Sequence, residues 1–176
     1  MSARGRRLIV ATRNPHKLEE LNEILSAFEL APLPDRVELP PEDGATFAEN
    51  ALGKARAACA QTGRDSIADD SGIAAMALGG APGVRSARFA GEDATDAENL
   101  TLLLERVGAD DDRRVAYVCA MAFVGTDGTE IVEEGRCEGI LAQDPRGSGG
   151  FGYDPAFEPI ELEGGVGRTM AELSPD

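Results

Sequence analysis

The sequence predicts an α/β fold, with a mixed β-sheet and flanking helices. Apolar runs typical of buried strands alternate with segments whose apolar residues recur at helical spacing. A turn signal, Asp127-Gly128, separates two strand-like runs and predicts a hairpin. The length of 176 residues, 42% of them apolar, fits one domain or two small lobes of one fold.

A predicted strand and a predicted helix begin the chain. Residues 7–12 form a short apolar run, as in a buried strand. Asn14 and Pro15 are suited to the N-cap and first turn of a helix, which apolar residues at helical spacing extend over 15–29.

A proline-rich loop and a second helix follow. Residues 31–43 contain four prolines and four acidic residues, which predicts a loop with one short strand near Val37. Thr46 and Glu49 form a capping-box pattern at the start of a helix predicted over 46–62.

The second half of the chain alternates strands, a helix and glycine-rich segments. A second capping box, from Thr95 to Glu98, begins a predicted helix with apolar residues on one face. The other predicted elements are a strand at 66–69 that runs into Asp70, an irregular segment at 79–94, a central strand at 114–124, a strand at about 129–138 and a glycine-rich loop at 144–155.

The charge of the chain argues against a nucleic-acid polymer as its partner. Seventeen basic and 32 acidic residues give a formal net charge of −15, whereas polymer binding depends on Lys and Arg residues that neutralise phosphates. A few placed cations and a divalent metal can still hold a small phosphorylated ligand in an acidic protein.

Cysteine content and hydropathy indicate a cytoplasmic protein without a membrane partner. Cys59, Cys119 and Cys137 are odd in number and widely spaced, as expected for reduced, buried thiols. The apolar run at 8–11 is too short for a signal peptide or a membrane span.

The first candidate site is the junction between the predicted first strand and first helix. Such a junction directs backbone N–H groups and the positive end of the helix dipole towards an anion. Thr12 and Asn14 can hydrogen-bond phosphate oxygens, and Lys17 adds a cation one turn into the helix. The alternative is that Asn14 only caps the helix and Lys17 is solvated. His16, the only histidine, is expected at the surface.

Two adjacent carboxylates, Asp69 and Asp70, follow a predicted buried strand. Buried carboxylates are costly unless a cation neutralises them, and Mg²⁺ prefers one or two carboxylates together with waters and substrate phosphates. Glu42 is a candidate further ligand, and either aspartate could accept a proton from an attacking water. The alternatives are that the aspartates cap a turn and that Glu42 is a solvated loop acid.

The helix predicted over 46–62 and the glycine-rich loop hold the remaining candidates. Lys54 could reach a phosphate from the helix. Phe151 and Tyr153 could stack on a planar base, because glycines let the backbone approach a ligand closely. The alternative is an ordinary turn whose aromatic residues belong to the core.

Five motifs stand in order along the chain, from residue 8 almost to its end. They are Ala11-Thr12-Arg13-Asn14-Pro15-His16-Lys17, Thr46-Phe47-Ala48-Glu49-Asn50-Ala51 with Lys54-Ala55, Ile67-Ala68-Asp69-Asp70-Ser71-Gly72, Gly79-Gly80-Ala81-Pro82-Gly83-Val84 with Ser86-Ala87-Arg88-Phe89-Ala90-Gly91, and Gly149-Gly150-Phe151-Gly152-Tyr153-Asp154-Pro155. With these motifs the sequence resembles the inosine/xanthosine triphosphate pyrophosphatases, the Ham1-like house-cleaning enzymes.

The resemblance implies an elongated mixed sheet with two lobes around a central cleft, in a homodimer. It implies hydrolysis of inosine, deoxyinosine and xanthosine triphosphates to the monophosphate and pyrophosphate, with one or more Mg²⁺ ions per active site as cofactor. Hydrogen-bond donors directed at the C6 oxo group would reject adenine, because adenine would leave a buried donor unpaired.

The resemblance also implies roles for individual residues. The expected triphosphate-binding residues are Thr12, Arg13, Asn14, Pro15, His16, Lys17 and Lys54. Asp70 is the expected proton acceptor and a metal ligand, with Glu42 and Asp69 as further metal ligands. The other expected substrate contacts are Ser71, Phe151, Gly152, Tyr153 and Asp154.

The chain departs from the family pattern at its C-terminal end. The family carries a lysine shortly after the segment that is Ala171-Glu172-Leu173 here, and then a Ser-His-Arg motif and a final helix. The sequence given ends at Asp176, and we expect a disordered or truncated tail to account for the difference. Two other functions stay open at this point: a pyrophosphatase for another modified nucleotide, or a nucleotide-binding module without turnover. The pair Asp69-Asp70 favours the enzyme.

Overall fold

A mixed sheet with flanking helices makes up the chain. The computed structural model describes residues 7–108, 112–160 and 167–173. Its strands are β1 (Arg7–Val10), β2 (Glu29–Pro32), β3 (Ser66–Ala75), β4 (Arg114–Val124), β5 (Glu130–Leu141) and β6 (Phe157–Pro159). Its α-helices are α1 (Pro15–Ile24), α2 (Phe47–Thr62) and α3 (Asp96–Val107), and shorter 3-10 turns lie at Met76–Leu78, Gly83–Arg88, Asp154–Ala156 and Met170–Glu172.

The six strands form one sheet in the order β2-β1-β3-β4-β5-β6. Strand β1 lies parallel to β2 along its whole length, from Arg7 opposite Glu29 to Val10 opposite Pro32. It also lies parallel to the first residues of β3, whereas β6 is antiparallel to β5. The predicted α/β class with a mixed sheet is confirmed.

The sequence prediction is wrong between α1 and α2. Helix α1 ends at Ile24 rather than at residue 29, and β2 follows it. Leu25 and Phe28 pack against the same apolar cluster as Leu21, so their helical spacing reflects a shared core and not a longer helix. The strand expected near Val37 is a loop in the structure, although Val37 is buried.

The two predicted capping boxes differ in the structure. At α3, the Thr95 side chain accepts from the N–H of Glu98 and the Glu98 side chain accepts from the N–H of Thr95, as predicted. At α2, Thr46 accepts from the N–H of Glu49 at 3.1 Å, but the Glu49 carboxylate accepts from the N–H of Ala45 at 2.7 Å. The reciprocal bond is therefore displaced by one residue.

Strand β3 extends further than the sequence predicts. It runs from Ser66 to Ala75, so Asp69 and Asp70 lie within a strand rather than at its end. Its neighbour β1 pairs with it only at Ser66 and Ile67. Strand β1 ends at Val10, opposite Ile67, so the two aspartates lie two and three residues beyond the last paired residue of β3. Among the other strands, β4 is confirmed residue for residue, β5 is longer than predicted, and β6 was not predicted.

The chain divides into two compact units. Unit 1 comprises Met1–Asp70 and Ala120–Glu134, and unit 2 comprises Ser71–Cys119 and Gly135–Asp176. The core of unit 1 is formed by Leu8, Val10, Leu21 and Ile67. The core of unit 2 includes Ile73, Leu103, Val115, Leu141, Tyr153 and Phe157. The cleft implied by the family resemblance stays a prediction.

The cysteines are free thiols, and the helices are short or polar. No disulfide joins the three cysteines, all of which lie in the described residues, and Cys59 is buried. Cys119 is exposed and Cys137 is partly exposed, so the prediction of buried thiols is wrong at these two positions. Within the described ranges, the helices are too short or too polar to cross a bilayer.

Candidate active site

The junction between β1 and α1 forms a hydrogen-bonded turn. The Thr12 hydroxyl accepts from the backbone N–H of Asn14 at 3.1 Å, and the Asn14 carbonyl accepts from the N–H of Leu18 at 3.4 Å. Asn14 and Pro15 are exposed. The beginning of α1 is therefore exposed, and the anion site expected there stays a prediction.

Arg13 in this junction contacts the protein itself. Its guanidinium donates to the backbone carbonyl of Val37 at 2.7 Å and to that of Asp35 at 3.2 Å. The same group lies 3.6 Å from the Asp35 carboxylate. In this structure Arg13 therefore holds the loop after β2, and its predicted contact with a triphosphate stays a prediction. The side chain of His16 lies outside what the structure describes.

Lys17 and Asp69 form a close ion pair. The Lys17 ammonium lies 2.5 Å from Oδ2 of Asp69, and the exposed fractions of these side chains are 24% and 9%. The alternative of a solvated Lys17 is therefore wrong. The pairing explains how a carboxylate can lie in a buried part of β3, since removal of either partner would leave the other charge poorly solvated.

Lys54 contacts two carboxylates. It lies on α2 with its side chain only 9% exposed, 2.5 Å from Oε1 of Glu42 and 3.9 Å from Oδ1 of Asp70. Glu42 is therefore not a solvated loop acid. One buried ammonium joins the loop before α2 to strand β3.

Asn50 completes this arrangement and was not among the predicted site residues. Its side-chain amide donates to Oδ2 of Asp70 at 2.9 Å, and its side-chain oxygen accepts from the N–H of Gly44 at 2.8 Å. Asn50 lies one helical turn before Lys54, which was a signal available in the sequence. A Cβ at Gly44 would lie 2.6 Å from the Asn50 oxygen, so glycine permits this close approach.

Some neighbours of Asp70 raise its pKa and others lower it. Burial is the largest cause, and it raises the pKa of Asp70 above its usual range. The hydrogen bond from Asn50 and the charge of Lys54 lower this pKa, Glu42 raises it, and Lys17 lowers it. Asp70 is therefore a stronger base than an exposed aspartate, and its charge is supported by neighbouring donors.

Three carboxylates in this part of unit 1 could serve a hard cation. Among the residues that the structure describes, no three His, Cys, Asp or Glu side chains come together as a metal cluster, so Asp70, Glu42 and Asp69 are not gathered around one point. Mg²⁺ needs only one or two carboxylates in addition to waters and phosphates. The oxygen donors fit this ion, and the burial cost of the Asp70 charge is one that a cation would relieve.

The glycine-rich loop of unit 2 is held by its own aspartate. Asp154 accepts from the Tyr117 hydroxyl at 2.7 Å and from the N–H of Phe151 at 3.0 Å. Gly150 has a positive φ of 68°, and a Cβ there would lie 2.0 Å from the Asp154 carboxylate, so the turn requires glycine.

The two aromatic residues of this loop differ in exposure. Tyr153 is 5% exposed, belongs to the core of unit 2 and donates its hydroxyl to the carbonyl of Ser86 at 2.7 Å. Phe151 is 58% exposed, so it is the one whose ring is open to stacking. Gly152 donates its N–H to Asp96 at 2.9 Å, and Ser71 is exposed on β3.

Comparison with known proteins gives consistent matches over nearly the whole chain. The model of the Ham1 family matches residues 8–176. The dITP/XTP pyrophosphatase of Corynebacterium glutamicum is 48% identical over 177 residues, which cover 96% of this chain and 86% of that protein.

Solved structures agree with this similarity. A HAM1 protein from Coxiella burnetii has a TM-score of 0.87 at 40% identity, with 97% of this chain and 88% of that chain covered. A dITP/XTP pyrophosphatase from Mycobacterium abscessus has a TM-score of 0.80 at 45% identity, with 96% and 90% covered.

Proposed function

Because the chain belongs to the Ham1 family, we propose that it hydrolyses the non-canonical purine nucleotides inosine, deoxyinosine and xanthosine triphosphate to the monophosphate and pyrophosphate. The observation that carries the proposal is the placement of two lysines, Lys17 and Lys54, beside Asp69 and Asp70 in unit 1. The two cations would bind the β- and γ-phosphates, and the carboxylates would bind the metal and accept the proton of the attacking water.

Lys17 and Lys54 would bind the triphosphate. Lys17 and Lys54 each form an ion pair of 2.5 Å with a carboxylate, and charged hydrogen bonds of this kind transfer readily to phosphate oxygens. The Thr12 hydroxyl and the start of α1 add donors at the same end of β1. These groups hold the pyrophosphate that leaves.

Asp70 is the proposed general base. It accepts a proton from the water that attacks the α-phosphorus; the new bond joins the water oxygen to this phosphorus, and the bond to the β-phosphate oxygen breaks. Burial raises the pKa of Asp70, which strengthens it as a base at neutral pH. Asn50 keeps the carboxylate oriented through its hydrogen bond of 2.9 Å.

Mg²⁺ is the proposed cofactor, held by Asp70 with Glu42 or Asp69 and by the substrate. When bound, it would neutralise charge that develops on the phosphate oxygens. Ser71 and the loop from Phe151 to Asp154 are retained as proposed substrate contacts, with the exposed ring of Phe151 suited to stacking on a base. A homodimer and a cytoplasmic location are also proposed.

Turnover in isotopically labelled water tests the reaction. We expect Mg²⁺-dependent loss of inosine triphosphate, inhibition by excess chelator, little loss of adenosine triphosphate, and the label in the monophosphate. Label in orthophosphate, with a diphosphate as the first product, would contradict attack at the α-phosphorus. Tight binding without turnover would make the chain a binding module instead, and preference for a modified pyrimidine would change the substrate class.

A further inference from the structure

A second group of cations lines a cavity of unit 1. The cavity has a volume of about 550 Å³, and its lining includes Arg7, Arg36 and Arg64 with one acidic residue, Asp35. Three arginines and one aspartate give this lining a net charge of +2, in a chain whose formal net charge is −15.

The arginines of this cavity are poorly neutralised. In residues 7–108, 112–160 and 167–173, the guanidinium groups of Arg36 and Arg64 are the basic groups without a hydrogen bond, ion pair or ring contact to the protein. Arg7 pairs with Glu29 at 3.3 Å, but these side chains are 52% and 62% exposed, and such exposed pairs contribute little. The guanidiniums of Arg36 and Arg64 are therefore available to an external anion, and Arg7 could exchange its exposed pair with Glu29 for one.

The arginines of this cavity and the lysines of the candidate active site lie towards opposite ends of the same strands. Arg7 begins β1 and Arg64 precedes β3, so both lie at the amino ends of parallel strands. Thr12 and Asp69 each lie five residues further along these segments. At the rise of an extended chain, five residues correspond to roughly 16 Å, so a single phosphate group cannot lie beside both ends of these segments. Arg13 joins the two regions, because its guanidinium lies 3.6 Å from the Asp35 carboxylate of the cavity lining.

The walls of the cavity indicate the size and chemistry of its ligand. Its volume falls within the usual range for small-molecule sites. Ile9, Ala31, Leu33 and Pro34 contribute apolar surface beside the arginines. Arginine is suited to bidentate contacts with phosphate. We propose that this cavity, which we name the arginine cavity, binds a small phosphorylated anion at a site distinct from the hydrolytic one.

Equilibrium titration with inorganic pyrophosphate and with adenosine monophosphate tests the proposal. A Lys17→Ala/Lys54→Ala variant weakens the hydrolytic site, so binding that remains in this variant and falls when Arg36 and Arg64 are replaced reports on the arginine cavity. We expect at least one of the two probes to bind there, and adding Arg36→Gln and Arg64→Gln to weaken that binding about tenfold for each arginine removed. Tighter binding of adenosine monophosphate would show that the ligand also contacts the apolar walls. Tighter binding of pyrophosphate would show that the ligand depends on the charges of the arginines alone.

The matched control is Arg136→Gln, which removes an exposed arginine of β5 that pairs with Glu138 at 3.1 Å. It should leave both affinities unchanged. Arg36 and Arg64 are exposed, so their replacement should not unfold the chain, and circular dichroism checks this. The proposal is overturned if neither probe binds the lysine variant, or if binding is indifferent to Arg36 and Arg64. A change of molecular mass in sedimentation, with unchanged anion binding, would also overturn it by assigning the arginines to an interface between copies.

Discussion

The side-chain amide of Asn50 donates to Oδ2 of Asp70 at 2.9 Å, while the other end of the same amide accepts from the N–H of Gly44 at 2.8 Å. Both polar atoms of a buried side chain are thus used. With Asp70 as the proposed general base, these two bonds make Asn50 a candidate positioning residue, which would act through Asp70 and through the loop that carries Glu42.

Replacement of Asn50 by Ala should change the pH dependence of hydrolysis. The hydrogen bond from Asn50 lowers the pKa of Asp70, so its loss raises that pKa and more Asp70 is protonated at any acidic pH. The acid limb of kcat/KM should therefore move to higher pH. The control is Gln61→Ala, which removes another amide of α2 that bonds only to the backbone of Glu38. An unmoved limb in Asn50→Ala would exclude this role.

Replacement of Asp70 by Asn should separate catalysis from stability. The amide keeps an acceptor for Asn50 but loses the basic oxygen, so kcat should fall by about 100-fold or more.

The same substitution should also affect stability. Burial raises the pKa of Asp70, and the charged form is therefore disfavoured in the folded state at neutral pH. The variant should be at least as stable as the parent at pH 7, and this advantage should vanish below the pKa of the unfolded aspartate. Thermal unfolding at both pH values measures this, and full activity in the folded variant would remove Asp70 as the base.

The two lysines should affect the triphosphate more than the monophosphate. Lys17→Ala and Lys54→Ala should each weaken inosine triphosphate binding by about 1.5–3 kcal/mol, as lost charged hydrogen bonds do. Arg56→Gln is the control on α2, since Arg56 pairs with Glu130 at 2.7 Å on the exposed side of the helix. Titration with both nucleotides gives the comparison. Equal weakening for both would place the lysines away from the β- and γ-phosphates.

Gly72→Ala should destabilise unit 2. A Cβ at Gly72 would lie 2.3 Å from the Ser86 hydroxyl oxygen and 2.7 Å from the carbonyl of Gly83. Ser86 is buried and its hydroxyl accepts from the N–H of Ile73 at 2.9 Å, so it cannot move aside without losing that bond. We expect a loss of about 1–3 kcal/mol in the free energy of unfolding. Gly135→Ala, where the Cβ would meet open space, is the control, and equal effects in the two variants would refute the steric reason.

Sequence patterns predicted α2, α3 and β4 well but stopped β3 at residue 69, and two short strands, β2 and β6, were missed. β4 was predicted residue for residue because it is apolar on both faces. β2 has four residues, among them Pro32, and its existence depends on pairing with β1. β6 has three residues and depends on β5 in the same way. β1 is equally short but is a continuous apolar run, whereas β2 and β6 carry too little local signal because a distant partner stabilises them.

In the candidate site, the residues could be predicted from the sequence but their contacts could not. The residue types were recognisable from the sequence, since Lys17, Lys54, Asp69 and Asp70 each lie in a motif. Their pairing was not, because Lys17 and Asp69 are 52 positions apart and meet only in the folded chain. The bridging role of Asn50 was missed for the same reason, since its partners lie on a loop and on a strand.

In unit 1, the carboxylates of Asp69 and Glu42 neutralise the two lysines that are proposed to bind the triphosphate. Each ammonium already has an anion at 2.5 Å, so a triphosphate that takes the lysines leaves Asp69 and Glu42 without their cations. A divalent cation that takes the carboxylates leaves the lysines equally uncompensated. Each ligand therefore removes the electrostatic cost of the other, and thermodynamic reciprocity requires that both affinities rise by the same factor. Substrate and metal should accordingly bind to the site together rather than as independent ions.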